Sequence, residues 1–225
     1  MIQIYEMYKT YQINDIKIEA LKNINLRIKQ NEFAAIVGPS GSGKSTLMNM
    51  MGCLDIPTSG NYILDDVEVS SLRDDELAEI RNQKIGFIFQ SFNLIQKLTA
   101  LENVELPLIY QGINTKERLR RAKLVLENVG LGDRLDHKPN ELSGGQQQRV
   151  AVARALINNP PIIFADEPTG NLDTKSGIEI MNLLKELHRK GNTIILITHD
   201  NDIAQQADRI VRINDGEIVE DRQVV

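Results

Sequence analysis

The chain has 225 residues, 41% of them hydrophobic and 25% charged, with a formal net charge of -5. That length buries a sizeable core without staples and fits one large domain or a core with a lobe. The acidic balance disfavours nucleic acid as the main substrate, because a sequence-independent grip on phosphate backbones needs a basic surface.

Residues 1–6 show neither a basic stretch ahead of an apolar run nor a small-residue cleavage site, so no signal peptide is expected. No run approaches ~18 apolar residues, so membrane association would need another chain. Strands are expected at 2–5 and 24–28, beside Asn and Asp turns, and again at 62–69; together they suggest a small antiparallel sheet at the N-terminal end.

Phe33–Val37 reads as a buried strand, and Gly38-Pro39-Ser40-Gly41-Ser42-Gly43-Lys44-Ser45-Thr46 follows it directly. This fits G-x-x-x-x-G-K-[ST] between a strand and a helical run at 45–54, the context that motif requires. Glycines let the backbone aim N–H groups at anionic oxygens, and the helix start favours negative charge. Lys44 would reach β and γ phosphates, and Ser45 would ligate Mg2+. Cys53, the only cysteine, lies among apolar neighbours and reads as a packed small hydrophobe, with a reactive thiol as the minor alternative.

A buried strand at Ile85–Phe89 leads into Gln90, which could touch Mg2+ or water, although a Gln after a strand is weak evidence by itself. The stretch 91–141, with helices at 100–110 and 116–129, is almost wholly helical and ends in Lys138-Pro139-Asn140. It reads as a helical lobe on a core made of 1–90 and 142–225. Arg118, Arg120, Arg121 and Lys123 are most simply a solvated helix face.

Ser143, Gly144, Gly145 and Gln146 open a helix at 145–157 and resemble a phosphate-binding element that lacks a lysine. A plain turn and helix cap is the alternative. An apolar strand at 162–165 then ends in Asp166 and Glu167, at the carboxyl edge where such folds bind ligands. Asp166 suits the surroundings of a Mg2+ ion, and Glu167 can orient and deprotonate a water; a solvated helix cap is the bland alternative. After a helix at 175–189, the strand 194–198 ends at the same kind of edge with His199, which could hold a γ-phosphate. Strands alternating with helices give an α/β fold around a mainly parallel sheet.

Taken together these segments resemble the ATP-binding subunits of ABC transporters over essentially the whole chain. Gly38 to Ser45 matches Walker A, Gln90 the Q-loop, Leu142 to Gln146 the signature and Ile162 to Asp166 Walker B. Glu167 matches the catalytic glutamate, His199 the switch histidine, Asn171-Leu172-Asp173 the D-loop, and Tyr11 the aromatic that stacks on adenine. The resemblance implies a P-loop NTPase core with an antiparallel β subdomain and a helical subdomain. It also implies ATP and Mg2+ as ligands, and a head-to-tail homodimer in which Walker A of one subunit and the signature of the other enclose each ATP. Such a dimer works on the inner face of the cell membrane through a separate permease. Gly52 to Asp55, Phe89 to Leu94 and Leu98 to Val104 are similar to lipoprotein-releasing (LolD-like) and macrolide or peptide exporter (MacB-like) ATPases, with the cell-division ATPase FtsE close behind. A soluble ATPase acting on DNA or ribosomes is a weaker alternative, since the chain has neither a long heptad insertion nor a second cassette.

Overall fold

A computed structural model describes residues 1–224, Ile13 by its backbone alone. The chain forms two compact units, Met1–Arg81 with the chain from Gly191 onward, and Asn82–Lys190.

The first unit begins with a long hairpin of β1 (Ile2–Ile13) and β2 (Ile16–Ile28). Ile2, Ile4, Met7 and Lys9 of β1 point inward, and the register slips between Ile4 and Met7, where Glu6 takes a φ of 46°. These irregularities break the period-2 alternation that marks a strand, which is why only 2–5 is legible from the sequence. β3 (Phe33–Val37) is buried at every position and runs into α1 (Lys44–Met51), which buries Leu47, Met48, Met50 and Met51. Cys53 follows, buried as expected, and burial pushes its thiol up to about 11, so it is no thiolate nucleophile at neutral pH. The strand expected at 62–69 is in fact two, β4 (Ser59–Leu64) and β5 (Val67–Glu68). Between them Asp65 and Asp66 both have positive φ, the backbone of a two-residue hairpin turn. β1, β2, β4 and β5 form the antiparallel sheet in the order β2-β1-β4-β5. The acid-rich helix α2 (Asp74–Lys84) carries the chain out of this unit.

The second unit holds β6 (Ile85–Phe89), α3 (Ala100–Tyr110), α4 (Thr115–Asn128), α5 (Gly144–Leu156), β7 (Ile162–Asp166) and α6 (Thr174–Arg189). β6 and β7 pair in parallel, Ile85 beside Ile162 and Phe89 beside Asp166, so both chains leave the pair at one edge. α3 starts with a reciprocal cap between Thr99 and Glu102, and the buried Asn103 side chain fixes the preceding loop at Ile95, Leu98 and Thr99. Arg118 departs from the solvated face expected of it. It is largely buried against Glu105 of α3 at 3.0 Å, whereas Arg120 and Arg121 share the exposed side of α4 with Glu117.

The chain then returns to the first unit as β8 (Thr193–Thr198), the short α7 (Asn201–Ala204), β9 (Arg209–Asn214) and β10 (Glu217–Gln223). β3 lies between β8 and β9 and is parallel to both, while β10 runs antiparallel to β9 through an Asp215-Gly216 turn.

Candidate active site

In the first unit the loop from β3 into α1 is held by lack of room. A Cβ on Gly38 would stand 2.1 Å from the Ile213 carbonyl oxygen, and Gly43 combines a φ of 105° with a Cβ position 2.7 Å from the Ala20 carbonyl. Only glycine satisfies both. The loop is also clasped by backbone: the Gly216 amide donates to the Ser42 carbonyl at 2.9 Å, and the Gly216 carbonyl accepts from the Lys22 amide at 2.8 Å. Lys44 folds back across the loop, donating from Nζ to the carbonyls of Gly38 at 2.7 Å and Pro39 at 2.8 Å. Its ammonium therefore stands over the start of α1, whose first turn carries no acid, and Ser45 and Thr46 present hydroxyls there. Lys44, the N-terminal amides and these hydroxyls thus stand together at one helix start, a place that favours an anion. A cavity of about 420 Å³ opens beside it, lined by Gly41, Lys44, Ser45 and Thr46 from the loop and by Ile18 and Lys22 from β2.

Tyr11 pairs with Ile18 across the β1–β2 hairpin, so it sits next to a wall of this cavity without lining it. His199, the residue after β8, is exposed. The turn behind it is set by Thr198 Oγ1, which accepts from the Asp200 amide at 3.0 Å, and by Asp200, whose carboxylate caps α7.

In the second unit the edge of β6 and β7 carries Gln90, Asp166 and Glu167. Glu167 has a φ of 45°, a left-handed conformation uncommon for a residue with a Cβ, and its carbonyl accepts from the Gly170 amide in the turn that follows. Asn171 reaches back to Gln90, donating to its carbonyl at 3.1 Å, while Gln90 Nε2 lies 3.4 Å from Asn171 Oδ1. Phe92 and Asn93, also at positive φ, have their carbonyls gripped by the Arg154 guanidinium at 2.9 and 2.5 Å.

Ser143 and Gln146 form a reciprocal capping box at the start of α5: Ser143 Oγ accepts from the Gln146 amide at 3.3 Å and Gln146 Oε1 from the Ser143 amide at 2.9 Å. The plain helix cap is thus present, whatever else these residues do. Asp173 caps α6 in the same manner, accepting from the Ser176 amide at 3.0 Å and hydroxyl at 2.6 Å, bonds that hold its carboxyl below the usual range. Ser176 in turn packs on Gly145, where an added Cβ would meet its Oγ at 2.6 Å. The segments 143–146 and 171–173 are therefore one packed structure.

Two side chains without an assigned role support this edge. Gln148, fully buried on α5, donates to the Pro168 carbonyl at 2.7 Å and toward Phe89 O at 3.4 Å, so it spaces the two strand ends. Arg154 holds the loop after Gln90, as above. The signal for Gln148 is its place three residues after Gly145, on the inward face of the helix.

Ser45 of the first unit offers a hydroxyl, and Gln90 and Asp166 of the second a carboxamide and a carboxylate. Taken one by one, such oxygen donors suit Mg2+ rather than zinc. Among the described residues no group of three or more His, Cys, Asp or Glu forms a cage.

Residues 21–170 match the sequence profile of the ABC transporter family. The chain belongs to that family. Within it, the chain is 57% identical, over 99% of its length and 97% of the relative's, to the ABC transporter ATP-binding protein YvrO of Bacillus subtilis, itself uncharacterized. The macrolide export ATP-binding/permease protein MacB of Brucella melitensis is 53% identical over 98% of this chain, which spans 34% of that protein. The dimeric ATP-binding cassette MJ0796, solved in a post-hydrolysis state with ADP and Pi, superposes with a TM-score of 0.92 at 51% identity, covering 100% of this chain and 99% of that one. This ABC cassette is an α/β P-loop ATPase with an antiparallel strand subdomain. No helix among its described residues is long and apolar enough to cross a membrane.

Proposed function

We propose that the chain is the ATP-hydrolysing subunit of a transporter that powers a membrane permease of the MacB or LolCE type, by export of a lipoprotein, peptide or drug or by transmission of force across the membrane. The observation that carries the reading is Lys44, held across the Gly38 and Pro39 carbonyls at the mouth of the cavity, where a triphosphate finds a cation and a helix start together. The 53% identity to MacB, whose name joins an ATP-binding part to a permease, supports the choice of partner.

In this reading Tyr11 stacks on adenine, the residues from Gly38 to Thr46 cradle the phosphates, and Lys44 binds the β and γ groups. Ser45, Gln90 and Asp166 hold Mg2+, which when bound neutralises charge on the phosphate oxygens. Glu167 accepts a proton from water as the water oxygen bonds to the γ phosphorus. The bond from that phosphorus to the β–γ bridging oxygen breaks, ADP leaves with the electron pair, and His199 steadies the γ oxygens. Two copies pack head to tail, and Ser143, Gly144, Gly145, Gln146 and Asp173 of each complete the other's site. Gln90 and the helical subdomain 91–141 pass the closure to the permease, which keeps the cassette on the inner face of the membrane.

Glu167→Gln is the test. Steady-state phosphate release should fall by about 100-fold or more, while MgATP converts the protein to a stable dimer in size-exclusion chromatography. The trapped variant, purified from membranes, should carry a multi-span permease identified by mass spectrometry. Hydrolysis near the wild-type rate would sink the role of Glu167, and recovery without any membrane chain would sink the transporter reading.

A further inference from the structure

Three side chains of the first unit form a closed arrangement that no step above uses. Asp55, just beyond α1, accepts from Tyr11 Oη on Oδ2 at 2.9 Å and from Lys9 Nζ on Oδ1 at 2.7 Å. Its Oδ1 also accepts from the Ile56 amide at 2.7 Å, and Lys9 Nζ donates to the Ile56 carbonyl at 2.8 Å. The same ammonium stands 4.8 Å from the centroid of the Tyr11 ring, within cation–π range. Lys9 is only 8% exposed, an expensive place for a lysine unless it is paired.

The geometry fixes Tyr11 twice: Asp55 sets the height and rotation of the ring through its hydroxyl, and Lys9 covers one ring face. That leaves the opposite face as the one a flat ligand can use. Where burial and Asp55 raise the pKa of the Tyr11 phenol, Thr46, which lines the cavity, acts in the opposite sense and lowers it. We infer that Asp55 and Lys9 are positioning residues for nucleotide-base recognition: they hold Tyr11 in the orientation in which its uncovered face receives the base. The inference rests on the proposed stacking of adenine on Tyr11.

A carboxylate at 55 lets both Tyr11 Oη and Lys9 Nζ donate to it, whereas an amide keeps one of these bonds only by reversing the other, with the phenol as acceptor. Burial works against the charged form of Asp55, but the hydrogen bonds from Lys9 and Tyr11 outweigh it and keep its pKa below the ordinary value. Burial and the Asp55 contact raise the Tyr11 phenol, so it remains the donor at neutral pH. Asp55→Asn preserves the shape and puts an NH2 opposite one of the two donors.

The test compares two ligands on the intact chain, MgATP and magnesium tripolyphosphate, by calorimetric titration. Only the first has a base. Tyr11→Ala should weaken MgATP by about 5-fold or more and leave tripolyphosphate within about 2-fold, the loss expected of one base–aromatic stack. Asp55→Asn should show the same selectivity at about 3-fold or more, and in the Tyr11→Ala background it should add nothing, since it acts through that ring. Lys9→Met reads the same quantity should the Asn variant fail to fold. An Asp55→Asn effect equal on both ligands, or additive with Tyr11→Ala, overturns the inference while the stacking stands. Equal weakening of both ligands by Tyr11→Ala itself removes the stacking, and the inference with it.

Discussion

The loop at 38–46 and the helix start at 143–146 both present backbone amides at a helix N-terminus, yet they are secured in different ways. The first is fixed by backbone against backbone: a carbonyl where a Cβ of Gly38 would go, and a clasp from Gly216. It brings its own cation, Lys44. The second is fixed by side chains: Ser143 and Gln146 each accept from the other's backbone amide, and beyond Gly145 the Ser176 hydroxyl donates to Asp173, while no lysine or arginine stands within 143–146. A site locked by backbone is complete for an anion and intolerant of change. One locked by side-chain caps is adjustable, in keeping with the proposed role of completing the site of a second copy.

The contrast is open to substitution at Gly38, at Gly145 and at Ser143. Gly38→Ala should be the most damaging, at about 3 kcal/mol or more in chemical denaturation, because the obstruction at 2.1 Å is the Ile213 carbonyl and no side-chain change can remove it. Gly145→Ala should cost less, about 1–2 kcal/mol, because it meets a serine side chain. Ser176→Gly in the same molecule should restore much of that loss, giving a clear coupling in a double-mutant cycle. Additive behaviour would show that the α5 helix start is held by backbone after all. Ser143→Ala should have the smallest effect, about 1 kcal/mol from the lost cap, with Ser143→Thr near wild type. A Ser143→Ala protein as stable as the parent would mean that the cap contributes nothing on its own and that Ser143 is retained for something outside this chain.

How far each feature was legible in the sequence follows the same division. Phe33–Val37 and Ile85–Phe89 were readable because buried parallel strands are continuous apolar runs, and helix 100–110 because its apolar residues recur at helical spacing. The far half of β1 was hidden by bulges and by an inward lysine, Lys9, which no hydrophobic pattern flags. α2 shows too weak a stripe, with Leu77 its one buried residue. β9 and β10 carry a strong hairpin signal in Asp215-Gly216, but the outer strand, Glu217–Gln223, is mostly charged or polar and shows no apolar alternation. In the candidate site, motif residues stand out by spacing. Gln148 is marked only by its place on the inward face of α5, and its meaning lies in carbonyls of residues 89 and 168, which only folding brings to one place. Arg118 looked solvated for the converse reason: Glu105, its partner, lies on a different helix.

The clasp on the phosphate loop also bears on how the protein is made. Ser42 leaves the ribosome well before the Gly216 amide that holds its carbonyl. A nascent chain therefore carries the loop without its clasp until β9 and the turn after it emerge. A chain cut before residue 216 would lack the clasp, so the geometry of the loop waits on a segment far along the sequence.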